Sequence, residues 1–203
     1  MSTTPAENVR EICIEGGSPL TRKREHFPTR FRLMLLPIWI LAGLTTVLGQ
    51  TIQSVYTSLE EKSCRKLKSD SADYLGRCPG FAGYTVLVSE GDLRQNITIV
   101  TPRGTKHSLD LWTVVSGGFS SLGPRAEWRA SRQKGKLVPV ALIVRYNASE
   151  NPSQPNKTTS YLAVSKITAT EICVTDKISP GANANEAARR AADEAANKPC
   201  LKP

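Results

Sequence analysis

Three residue types associated with hydrolysis stand almost side by side at His107, Ser108 and Asp110. A nucleophile, base and orienting acid must converge from different elements, with the nucleophile on a strained turn, so adjacency in sequence argues for an exposed loop histidine. The serines of Gly117-Gly118-Phe119-Ser120-Ser121-Leu122-Gly123 do not fit the G-x-S-x-G elbow, and the same glycines do not fit a phosphate-binding loop. Glycine and serine in this density predict a flexible loop over residues 116–124. No catalytic residue and no cofactor is expected, and the alternative of an exported hydrolase of envelope polymers rests on His107 alone.

The cysteines carry a clearer message. Cys13 lies in the N-terminal tail, whereas Cys64, Cys78, Cys173 and Cys200 form an even set in the long C-terminal part. Four cysteines allow three pairings; the pairs nearest in sequence, Cys64 with Cys78 and Cys173 with Cys200, each bracket one structural unit and are the favoured solution. A metal site is not expected, because no two cysteines show C-x-x-C spacing and His107 is the only histidine of that part.

Five bases, Arg125, Arg129, Arg132, Lys134 and Lys136, cluster on one strand and the turn after it. Such a basic patch suits anionic lipid, an acidic wall polymer or an envelope protein as partner. The competing reading is a solvated edge strand whose charges prevent edge-to-edge pairing. Nucleic acid is excluded as a partner by export and by the scarcity of aromatic residues for base stacking. Three N-x-S/T sequons begin at Asn96, Asn147 and Asn156; Asn96 falls inside a strand where a sugar would be awkward, and the other two are placed on polar loop.

The elements that must carry these residues follow from one apolar run. Residues 33–48 hold no charge, and with extension through Ile52 they reach the length of a membrane-crossing helix. Arg22, Lys23, Arg24, Arg30 and Arg32 precede the run, so the positive-inside rule keeps the N-terminus cytoplasmic and exports the remainder. The tail through Arg32 holds six bases and four acids, so +2 of the formal net charge of +9 sits there and +7 on the remainder. The expected organisation is a basic cytoplasmic tail over 1–32, a transmembrane helix or signal anchor over 33–52, and one exported domain over 56–203. The alternative is secretion after cleavage near Gly49.

Within the exported domain, residues 54–63 read as a polar bridge and 64–75 as one short helix. Alternation over 84–88 and 93–101, around Glu90-Gly91-Asp92, predicts a β-hairpin. Residues 125–131 alternate as a half-wet strand. Residues 137–146 are apolar on both faces apart from Arg145 and predict a central strand, with Pro139 marking an edge or bulge at its start. Strands over 161–168 and 172–175 close the sheet. A helix follows, with Asn183 as cap, Glu186 completing a capping box and pairing with Arg190, and a face made only of alanines. The expected fold class is therefore α+β: an N-terminal transmembrane helix, then an antiparallel sheet of about five to seven strands with a C-terminal alanine-rich helix packed on it.

Arg77-Cys78-Pro79-Gly80-Phe81-Ala82-Gly83-Tyr84, Ser89-Glu90-Gly91-Asp92-Leu93-Arg94, Glu127-Trp128-Arg129 and the segment 185–195 leading to Cys200 together resemble a set of small exported proteobacterial proteins of unknown function. The resemblance spans residues 56–200 and implies export, a bacterial source and paired cysteines, and it transfers no functional residue. The expectation is a membrane-anchored protein of the bacterial inner membrane with a non-catalytic, disulfide-containing periplasmic binding domain. A secreted inhibitor of a wall-degrading enzyme is a further alternative.

Overall fold

Ten β-strands and two short helices account for the computed structural model, which describes residues 51–70, 73–154 and 156–203. The first strand, β1 (Ile52–Ser58), leads through a single 3-10 turn into β2 (Arg65–Ser69) and β3 (Asp73–Cys78). There follow β4 (Thr85–Gly91), β5 (Arg94–Val100), β6 (Lys106–Ser108) and the one-turn helix α1 (Leu111–Val114). Two long strands, β7 (Phe119–Gln133) and β8 (Lys136–Ser149), then β9 (Thr158–Ile167), β10 (Ile172–Ile178) and α2 (Ala184–Asp193) complete the chain.

The strands join in one sheet of order β10-β9-β8-β7-β5-β4-β3-β2, with β6 on β5 and β1 on β7. All pairings are antiparallel except one: Arg94 of β5 meets Ser120 of β7 in a parallel bridge. β7 is the joint of the molecule. Its first half touches β5 and its second half pairs with β1 from Ile52 opposite Ser131 to Ser58 opposite Arg125. The sheet curls until β10 lies beside β6. Val86, Val88, Ile97 and Ile99 then share a core with Trp128, Leu142, Val144 and Tyr146.

Trp128 is fully buried, with the rings of Phe81 and Tyr84 at 6.5 and 6.1 Å between centroids. Each tilted aromatic pair adds about 0.5–1.5 kcal/mol beyond area burial. The indole N–H donates to Thr57 Oγ1 at 2.9 Å, so the largest core side chain carries no unsatisfied polar atom. On the other face α2 lays Ala188, Ala191 and Ala192 on Ala141, Ile143, Leu162 and Val164. Alanine is what allows so close an approach, as expected.

The expected fold class is corrected. A ten-stranded mixed sheet with two short helices replaces the antiparallel five- to seven-stranded α+β domain, and among the described residues no helix is long and apolar enough to cross a membrane. Residues 33–50 of the expected span lie outside the described residues, and its last position, Ile52, is the first residue of β1. In place of a helix over 64–75, β2 and β3 pair antiparallel, and Asp70 holds the end of β3: its carboxylate accepts from Asp73 N–H at 2.8 Å and its own N–H donates to Asp73 C=O at 3.0 Å. Residues 54–58 of the expected polar bridge belong to β1, where Ser54, Tyr56 and Ser58 alternate with Val55 and Thr57.

Elsewhere the pattern was legible. The β4–β5 hairpin is present, although the turn is made by Asp92 and Leu93, both at positive φ, one step beyond Gly91. Pro139 stands opposite Ala130 at a register shift in β8, the bulge its missing N–H requires. The Glu186–Arg190 pair closes at 2.7 Å, whereas Asn183 makes no side-chain cap bond.

Candidate anion-binding cleft

Both expected disulfides are formed, Cys64 to Cys78 and Cys173 to Cys200. Cys173, Cys200 and Glu171 also lie close together, but sulfurs bonded to each other are not thiolate ligands.

The five bases of the expected patch are not brought together. Arg132 and Lys136 sit at the far end of the β7–β8 hairpin, with Lys134 and Gly135 as its two-residue turn at positive φ. Arg129 is 8% exposed and spoken for: its guanidinium donates to both oxygens of Asp193 at 2.7 and 2.8 Å and to Ser54 Oγ at 2.5 Å. Only Arg125 of the five faces the cleft described next. Spacing alone placed Arg125, Glu127 and Arg129 on one face of β7; it could not reveal that α2 covers that face.

The cleft, of about 330 Å³, opens between the N-terminal half of α2 and the strands β1, β7, β8 and β9. Tyr56, Arg125, Glu127, Arg145, Asn185 and Arg189 supply its polar groups. Gly123 makes room for Arg145: a Cβ there would lie 2.7 Å from Arg145 Cβ, so the bare backbone lets the arginine stem rest on β7. A register shift between Leu122 and Ala126 bends β7 at the same place and turns Arg125 to the cleft mouth.

Charge within the cleft is uneven. Glu127 accepts from Arg189 Nε at 2.7 Å and from Ser54 Oγ at 2.5 Å, and Arg189 Nη2 donates to Tyr56 Oη at 3.0 Å. Burial alone would raise the Glu127 pKa, but hydrogen bonds from Arg189 and Ser54 together with the Arg189 charge outweigh it and hold the carboxyl below its ordinary range. The same contacts raise the Arg189 pKa. These two charges cancel. Arg145 donates only to neutral partners, Ser160 Oγ at 2.9 Å and Asn185 Oδ1 at 3.2 Å. Arg125 lies with its guanidinium 6.0 Å from the Tyr56 ring centroid. Among the described residues neither arginine has a carboxylate partner, so the cleft carries an uncompensated double positive charge.

His107 is not assembled with its neighbours. In β6 it alternates with Ser108, whose hydroxyl donates to Asp110 at 2.6 Å and accepts from Asn96 Nδ2 at 3.0 Å. Asn96 Oδ1 accepts from Leu111 N–H at 3.0 Å, so the Asn96 amide is used on both sides to shape the corner before α1. A sugar on Asn96 would break that corner. Asn147, expected on a loop, lies inside β8 between Ser121 and Ser160. Residues 119–124 of the expected flexible loop are instead the start of β7: Ser120 N–H donates to Leu93 C=O at 2.9 Å and Leu122 N–H to Gln95 Oε1 at 2.7 Å.

Arg145, Arg189, Tyr56 and Asn185 were not read as site residues from the sequence. The signal for Arg145 was present, since it is the single charge in an otherwise apolar strand; Arg189 looked like one more helix-surface base. No protein-family model, curated protein or solved structure matches the chain.

Proposed function

We propose that this protein is a non-catalytic binding module of the bacterial envelope, lying on the periplasmic side of the inner membrane and gripping carboxylate groups of a wall polymer in the cleft between α2 and β7–β8. The observation that carries the reading is the convergence of Arg125 and Arg145 without an acidic partner among the described residues. A planar guanidinium suits a carboxylate because two parallel N–H donors meet two oxygens. Arg145 is held for this by Ser160 and Asn185, and Arg125 by the Tyr56 ring, so little side-chain freedom is lost on binding. Export is supported by the two disulfides, which persist in oxidising compartments. The apolar residues ahead of β1 tether the module to the membrane.

The test is cosedimentation of the full, oxidised chain with isolated peptidoglycan sacculi. Arg125→Glu combined with Arg145→Gln should lower retention about tenfold, a loss of roughly 1.4 kcal/mol. Lys136→Glu, on the distant hairpin, should leave retention unchanged. Equal retention of the double variant and the parent would contradict the assignment. Arg129→Glu is unsuitable for this purpose, because it breaks the ion pair that fastens α2.

A further inference from the structure

A second cleft, sharing no residue with the first, lies at the other end of the sheet with a volume of about 800 Å³. One wall is the loop of the Cys-Pro-Gly-Phe-Ala-Gly-Tyr motif, which the proposed function leaves unused. Cys78 anchors that loop to Cys64. At Gly80 a Cβ would lie 2.0 Å from the Tyr84 carbonyl oxygen, so only glycine lets the chain double back there. Ala82 and Gly83, both at positive φ, complete the turn, and Tyr84 N–H donates to Phe81 C=O at 3.0 Å. The turn presents Phe81, Ala82 and Tyr84 to the cleft, with Phe81 and Tyr84 braced from behind by Trp128.

The facing wall is the β7–β8 hairpin end: Leu137, Val138 and Pro139 line it, and Arg132 and Lys136 stand at its rim. Arg132 donates to its own turn, at Gly135 C=O, 3.1 Å away. No acidic side chain lines the cleft, and Lys134 at the tip adds a third positive charge beside the rim. Two braced walls of aliphatic and aromatic carbon under a wholly cationic rim define a complement of opposite design: a hydrocarbon body with an anionic head.

We propose that this cleft binds an anionic amphiphile, with its aliphatic chain between the Phe81–Tyr84 turn and Val138 and its head group on Arg132 and Lys136. The motif loop is thereby a ligand wall, and its glycines serve the shape of that wall. Chain and charge both contribute. A cationic amphiphile of equal length meets the same apolar walls but a repelling rim, whereas inorganic phosphate meets the rim and lacks the chain.

The experiment uses the full oxidised chain in phosphatidylcholine vesicles with two photoactivatable probes, a diazirine-bearing dodecyl phosphate and the matching dodecylamine, followed by peptide mapping. Dodecyl phosphate should label peptides containing residues 81–84 and 137–139 about tenfold more than dodecylamine does, the size expected for loss of roughly one paired charge. Arg132→Glu with Lys136→Glu should bring the two probes to equal labelling. Lys136→Gln alone, at an exposed hairpin position, should reduce phosphate-probe labelling about threefold without disturbing either disulfide. Equal labelling of the parent by the two probes, labelling spread evenly over other peptides, or labelling that survives the double charge reversal would each overturn the proposal. Arg125→Glu with Arg145→Gln should not change it, which separates this site from the first cleft.

Discussion

Arg129 and Asp193 show how much a buried cation depends on its acidic partner, even where that partner is itself exposed. Asp193 closes the C-terminal turn of α2, where the helix dipole disfavours a negative charge, and Arg129 offsets that by a two-toothed contact. Removing the acid leaves a guanidinium 8% exposed and short of its main partner. Asp193→Ala should therefore cost about 3 kcal/mol in denaturant unfolding, and Arg129→Met introduced beside it should recover part of that loss. A larger loss for the double variant would contradict the pairing. Glu127 gives a pH dependence whose sign follows from its lowered pKa. The native state holds the carboxylate, so its stabilisation is complete above the ordinary glutamate range and is lost as pH falls through that range and below. The melting temperature should drop from pH ~5 to ~3, and Glu127→Gln should flatten that drop. Part of this was readable from sequence, because alternation set Arg125, Glu127 and Arg129 on one face. Which of them is a free cation was not, since that depends on where Asp193 and Arg189 arrive from sixty residues away.

Among elements, α2 is the one least able to hold its place alone. Its buried surface is alanine, each methyl contributing on the order of 0.8 kcal/mol, and Asn183 makes no side-chain cap. Three ties compensate: the Arg129–Asp193 pair, the Arg189–Glu127 pair, and the Cys173–Cys200 bond just beyond the helix. Lys198 adds a contact to Asp176 at 2.8 Å. Cys173→Ser with Cys200→Ser should lower stability by about 2–4 kcal/mol. Amide exchange should rise across residues 184–197 first, with β8 unchanged; uniform rise over the whole sheet would contradict a local role. The disulfide pairing and the helix were legible because both are local in sequence. The β2–β3 hairpin was not, because every residue of β2 is exposed and three of its five are basic, so that strand carries no period-two apolar signal. The β4–β5 turn was legible only to within one step, because at Asp92 and Leu93 non-glycine residues adopt positive φ against their preference.

At the scale of the whole molecule, the sheet is joined by β7 and filled by Trp128. Trp128→Ala should cost about 3–5 kcal/mol, more than any surface change, and should loosen β1 as well through the lost Thr57 bond. Strand identity could be read for β4, β5, the second half of β7, β8, β9 and β10, but the order could not: the β5–β7 joint is a single parallel bridge, and β1 reaches β7 across about seventy positions. A link that short leaves no periodic trace in sequence. The consequence for function is that the two clefts share no residue, one polar and cationic beneath α2, the other apolar with a cationic rim. The central claim is that the first of these grips wall carboxylates. Its most direct test is hydrogen–deuterium exchange of the full oxidised chain, with and without soluble muropeptides. Protection is predicted in residues 123–127 of β7 and in the N-terminal half of α2, and its disappearance in the Arg125→Glu, Arg145→Gln variant. Muropeptide binding without protection there, or protection confined to residues 132–139, would contradict it.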